Sequence, residues 1–164
     1  MEEIVYRPIG VIRSPFKDIE GTPIQPTYAL GVRGKVEMEP AYVGGLKDLD
    51  GFSHIILIYH FHLSTGYSLE VKPFLDERLR GLFSTRAPRR PNPIGFSVVR
   101  LVKVEGRVLD IEDVDIVDGT PLLDIKPYVP EFDMRKAERR GWLAGKEAVV
   151  SETKADKRFK GSRG

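Results

Sequence analysis

The chain has 164 residues, 41% of them hydrophobic and 30% charged, with a formal net charge of +2 and no cysteine. That size and balance predict one globular domain with a real core, and no apolar run approaches the ~20 residues of a membrane span. The lack of cysteine removes disulfide frames, thiolate zinc sites, iron–sulfur clusters and cysteine nucleophiles together.

In chain order, the acidic start MEEIVYRPIG is unlike a signal peptide, so a cytoplasmic protein is expected. Alternating, β-branched segments then predict strands at Tyr6–Arg13, Gly34–Met38, His54–His62, Leu82–Arg86, Ser97–Val104, Val108–Val117 and Leu122–Lys126. A short helical turn is expected at Pro40–Leu46, and Gly106-Arg107 reads as a tight hairpin. Helical patterning is confined to Phe132–Leu143, with Asp133 as its cap. Beyond it, KADKRFKGSRG reads as a disordered basic tail. Many strands with short turns predict a mainly β fold, a compact barrel or sandwich.

The charge is segregated. Arg86, Arg89, Arg90, Arg100, Lys103 and Arg107 make residues 84–107 basic, residues 109–133 are strongly acidic, and residues 135–164 are basic again. A polyanion needs local positive surface rather than a large net charge. No G-x-G-x-x-G follows a strand, and there is no G-x-x-x-x-G-K-[ST] or G-x-S-x-G. Dinucleotide enzymes, P-loop NTPases and serine hydrolases are therefore disfavoured.

Four stretches carry chemistry. In STRAPRRPNPIG, residues 84–95, Pro88, Pro91 and Pro93 leave the loop few shapes while it presents three guanidinium groups. Such a loop suits an anionic or carboxylate-bearing ligand, and its plain alternative is a surface turn with solvated arginines. All three histidines lie in SHIILIYHFH. On one regular strand His60 and His62 would share a face roughly 6.6 Å apart, two rises of ~3.3 Å, which could offer two metal ligands. The nearest acid downstream is Glu70, too far along for the usual third ligand, so ligand contact or plain structure competes with a metal. In DIVDGTPLLDIKPY, Asp118-Gly119 signals a turn, and its carboxylate, the Thr120 hydroxyl and exposed backbone amides would suit a polar ligand. GTPIQPTYALG, residues 21–31, is a loop with Gln25 as its one obvious recogniser.

Together PIGVIRSPF, GLKDLDGFSHIILIYHFH, FSTRAPRRPNPIGFSVVRL and DIVDGTPLLDIKPYVPEFD stand in the order of the TsaA/YaeB-like family, typified by TrmO. The resemblance covers residues 4–133, leaving 134–164 as a C-terminal helix and basic tail. It implies a compact β-barrel, a non-Rossmann methyltransferase, acting as a homodimer on tRNA. The implied reaction is S-adenosylmethionine-dependent methylation of N6 of threonylcarbamoyladenosine at position 37. Carried over position by position, cofactor contacts would come from Pro23, Gln25, His62, Leu63, Arg86, Asp118, Gly119, Thr120 and Pro121. RNA or loop-ordering roles would fall to Arg89, Arg90 and Asn92. The family often reads P-R-Q where this chain has Pro23-Ile24-Gln25, so one guanidinium is missing.

Methyl transfer to nitrogen needs alignment and a proton acceptor. Asp118 and His62 are candidates for that acceptor, with Asp118 better suited to holding the cofactor's ammonium or ribose. Stacking on the methylated base could come from Tyr59, Tyr67, Phe96 or Tyr128. A metal-dependent β-barrel enzyme built on His60/His62 and a non-catalytic ligand- or RNA-binding barrel are the alternatives.

Overall fold

The alternation read from the sequence becomes a closed barrel in the computed structural model, which describes residues 2–23, 25 and 29–146. Its strands are β1 (Gly10–Arg13), β2 (Arg33–Met38), β3 (His54–His60), β6 (Ile94–Glu105), β7 (Val108–Glu112) and β8 (Thr120–Pro127). They pair in the order β1-β2-β7-β6-β3-β8, and β8 closes antiparallel on β1 with Ile12 opposite Thr120. The short β4 (Glu70–Val71) and β5 (Arg80–Gly81) form a separate ribbon.

Period-two burial builds the core. In β3 the odd positions Ile55, Leu57 and Tyr59 face inward while His54, Ile56, Ile58 and His60 stand on the other face. Ile12, Val36, Val99, Leu109 and Leu122 meet them, all fully buried. At ~25 cal/mol per Å2 of apolar surface, each such aliphatic side chain contributes roughly 1.5–3 kcal/mol. A smaller cluster of Val71, Leu82 and Ala87, with Phe74 packed on it, supports the β4–β5 ribbon.

Several expected elements differ. The strand expected at Leu82–Arg86 is a 3-10 turn, Leu82–Ser84, that ends as Thr85 turns outward. The strand expected to reach Val117 stops at Glu112, because Asp113 takes a positive φ of 66° and its carboxylate accepts from the Gly31 amide. The strand expected at His54–His62 ends at His60, where the Phe61 amide turns to the Pro93 carbonyl.

The expected helix Phe132–Leu143 shrinks to α1 (Pro130–Asp133) and a 3-10 turn, Gly141–Leu143. Asp133 does not cap a following helix; its carboxylate accepts from Val129 and closes the short turn in front of it. The next residues, MRKAERR, offer no apolar face that packing could reward. The basic tail and Ile24 lie outside the described residues. Among the described residues no helix is long and apolar enough to cross a membrane.

Candidate functional site

A cleft of about 380 Å3 opens at the barrel end where β3 finishes and β6 and β8 begin. That volume lies within the range of small-molecule sites. Four separate segments meet there: Pro23 and Gln25 between β1 and β2, His62 and Leu63 just after β3, Arg86 ahead of β6, and Thr120 at the start of β8. The floor is apolar, with Phe61, Phe74 and Ile116 among its lining residues.

Arg86 is held from two sides. Its Nη1 donates to Gln25 Oε1 at 2.5 Å, and its guanidinium lies 4.9 Å over the Phe96 ring. A planar cation fixed in this way presents its remaining donors in one geometry. The proline-rich loop therefore does orient a guanidinium toward a ligand space. Arg90 lines the cleft but serves the loop itself: its Nη1 donates to the carbonyls of Thr85 at 3.0 Å and Ala87 at 3.3 Å. Arg89 and Asn92 lie outside the cleft. Arg89 has a buried Nε without a hydrogen-bond partner, and Asn92 is exposed with its carbonyl accepting from Ile94.

The acidic turn is arranged differently from its reading as a ligand grip. Asp118, Gly119 and Pro121 do not line the cleft. The Asp118 carboxylate accepts from Lys17 Nζ at 2.8 Å and the Ser14 amide at 3.0 Å, and these, Lys17 first, lower its pKa. Nor are the turn's amides exposed: Asp118 donates to Phe16 and Gly119 to Ile12. Gly119 sits at φ 78°, a left-handed conformation that a side chain would strain. The turn thus docks onto the end of β1 and delivers Thr120, whose Oγ1 stands 3.3 Å from His62 Nδ1, to the cleft wall.

His62 is held below the ordinary histidine range, chiefly by burial and then by the nearby His60. It is therefore neutral at pH 7 and carries a lone pair. Because β3 ends at His60, His60 and His62 do not form the same-face pair expected on a continuous strand, and only His62 lines the cleft. Among the described residues no three His, Cys, Asp or Glu side chains gather as a metal site.

Two cleft residues have no conspicuous sequence signal. Ser64 places a buried Oγ with no hydrogen-bond partner at the cleft lining. Asp115 lines the cleft, and its Oδ1 accepts from Ser97 Oγ at 2.6 Å. Ser97 in turn lies 3.0 Å from the Tyr59 hydroxyl. Burial pushes the Asp115 carboxyl up to about 7, against the Ser97 hydrogen bond and the more distant Arg86. The same environment raises the Tyr59 phenol, so it stays protonated. Of the four aromatic candidates, Tyr59 is nearly buried and lines the cleft with its hydroxyl on Ser97, and Tyr128 packs edge-on to His54. Phe96 is half-exposed at the cleft beneath Arg86, and Tyr67 is exposed outside it.

These four segments all fall within one region of the chain that comparison with known proteins identifies. The chain belongs to the tRNA-methyltransferase O N-terminal domain family, whose model matches residues 11–134. Among its relatives, a protein of Pyrococcus abyssi named "Probable S-adenosyl-L-methionine-binding protein" is 56% identical over 95% of this chain and 85% of its own length. The human tRNA (adenine(37)-N6)-methyltransferase is 37% identical over 79% of this chain and 31% of its own. A crystal structure of TrmO from Pseudomonas aeruginosa superposes with a TM-score of 0.72 at 39% identity, over 86% of this chain and 63% of that one. The chain thus spans less than two thirds of that TrmO and about a third of the human enzyme.

Proposed function

We propose that this protein binds S-adenosylmethionine in the barrel-mouth cleft and methylates N6 of threonylcarbamoyladenosine 37 in tRNA. The observation that carries the reading is convergence: Pro23, Gln25, His62, Leu63, Arg86 and Thr120, distant in sequence, line one cleft. The donor set fits the cofactor. The apolar floor suits an adenine and a thioether chain, the fixed Arg86 suits a carboxylate, and the orphaned Ser64 hydroxyl awaits a polar partner.

When bound, the cofactor supplies an electrophilic methyl group on a sulfonium. The protein's own part is to align, exclude water and manage a proton. Arg86 would hold the anionic end, and His62 beside Thr120, its pKa lowered, would add no positive charge to the cleft wall. Asp118 acts at a distance, fixing the turn that carries Thr120. Arg89 and its basic neighbours would meet the RNA backbone. A homodimer and a cytoplasmic location go with this reading, and sedimentation of the purified protein tests the former.

Calorimetric titration of chelator-dialysed protein with S-adenosylmethionine is the deciding experiment. Saturable binding is expected, weakened at least tenfold in Arg86→Ala, followed by methyl transfer to threonylcarbamoylated tRNA. The Pyrococcus relative is named only for S-adenosylmethionine binding, so a second reading is a binding protein, which binding heat with no methylated nucleoside would establish. Absence of binding would overturn both.

A further inference from the structure

Asp115 is a carboxylate in an unusual place. Val114 and Ile116 on either side are buried in the barrel core, which pins the backbone between them. Its side chain lines the cleft while accepting from Ser97, the middle member of a string that runs Tyr59 hydroxyl, Ser97 hydroxyl, Asp115 carboxylate. Among the described residues it forms no salt bridge, since the nearest cation acting on it, Arg86, is tied to Gln25 and Phe96. A part-buried carboxylate without a paired cation is disfavoured relative to one in water. A neutral amide would satisfy Ser97 equally well, so structure alone does not call for an ionisable group here.

We propose that Asp115 is the general base that takes the proton from the acceptor nitrogen. The proposal rests on the methyltransferase reading above. In threonylcarbamoyladenosine, N6 carries one hydrogen between the purine ring and a carbonyl, and its lone pair is delocalised into both. Attack therefore calls for removal of that hydrogen. The N–H bond breaks, with the proton passing to an Asp115 oxygen. The nitrogen's electron pair forms the bond to the methyl carbon, and the carbon–sulfur pair stays on sulfur. The negative charge of the carboxylate and the positive charge of the sulfonium disappear in the same step. The proton then passes from Asp115 to water once product has left the cleft.

The other candidates are less suited. Asp118 is committed to Lys17 and Ser14 outside the cleft. His62 is made a weaker base by its burial and by His60. Asp115, faced by Tyr59, Ser97 and Arg86 with His62 on the same cleft, is raised to about 7, where a base can be both ionised and effective.

The test compares wild type, Asp115→Asn and Ser97→Ala. Three quantities are read: single-turnover methylation of threonylcarbamoylated tRNA from pH 5.5 to 9, calorimetric cofactor affinity, and thermal melting. Expected for Asp115→Asn is a loss of about 100-fold or more in rate, no rising limb near neutral pH, and cofactor affinity within about threefold of wild type. Ser97→Ala removes a hydrogen bond that favours the ionised carboxylate, so its rising limb should move to higher pH while the alkaline plateau survives. Asp115→Asn that keeps the rate and the limb would overturn the proposal. So would a parallel loss of cofactor binding, which would make Asp115 a binding residue. Should Asp115→Asn not fold, the Ser97→Ala limb decides: displacement supports the base, an unmoved limb removes it. Wild type that binds cofactor yet methylates no such tRNA would instead sink the methyltransferase reading and this step with it.

Discussion

Single side chains decide how tightly the cleft is built. Gly95, in the proline-rich stretch, pairs with Tyr59 across β3 and β6. A Cβ there would press on the Tyr59 ring and lie 2.7 Å from Phe61 Cζ. Both rings are packed edge to face, 5.5 Å between centroids, so neither can yield cheaply. Gly95→Ala should lose about 1–3 kcal/mol of stability, measured by urea unfolding, and tilt the Tyr59 end of the polar string. Some of this was readable in the sequence. The stiff arginine loop pointed to Arg86, and the structure puts Arg86 in the cleft. Asp115 gave no such signal, being one acid in a crowded acidic segment and distinguished only by Ser97 and Tyr59 from other strands. The role of Asp118 was not legible for the converse reason: a D-G turn looks the same whether it faces a ligand or Lys17.

Elements show where local pattern suffices and where it fails. The six barrel strands announced themselves through alternation, although the first was expected to start at Tyr6 and starts at Gly10, and the β7 strand was expected to reach Val117 and ends at Glu112. β4 and β5, two residues each, were invisible because so short a ladder carries no period. Leu82 misled the strand reading because it is buried in the satellite cluster, not the barrel. That ribbon is tied to the C-terminal segment through Asp76. Its carboxylate takes Arg80 Nη2 at 2.6 Å and Lys146 Nζ at 3.1 Å, and both cations also stack on Trp142. Trp142 Nε1 donates to the Ser84 carbonyl, just before the Arg86 loop.

Hydrogen bonding to Arg80, then to Lys146 and Arg78, depresses the Asp76 pKa. With the folded value lower than the unfolded one, its contribution is complete above about pH 4 and fades as pH falls through the folded value. Wild type should therefore melt higher than Asp76→Asn at neutral pH, with the gap closing under acid. A gap constant with pH would contradict the ionised bridge.

For the molecule as a whole, the relevant quantity is the distribution of charge rather than its sum. A net charge of +2 gives little long-range attraction, but Arg86, Arg89 and Arg90 lie on the loop bordering the cleft. Binding of tRNA should weaken steeply with salt, each phosphate contact adding about −0.7 to −0.9 to the slope of log affinity against log salt. Arg89→Ala should flatten the slope by about one contact, and filter binding across a salt series would read it. An unchanged slope would remove Arg89 from the RNA surface.

The seam between β1 and β8 also governs how copies of this protein can meet. With the ring closed, no barrel strand is an edge strand along its whole length: β6 lends Ile94–Arg100 to β3 and Arg100–Glu105 to β7, and the separate β4 and β5 are two residues each. Growth by strand addition, the common route to amyloid-like stacking, finds only short templates among the described residues. Self-association would then draw mainly on side chains, where one substitution can tune or abolish it without unpicking the sheet.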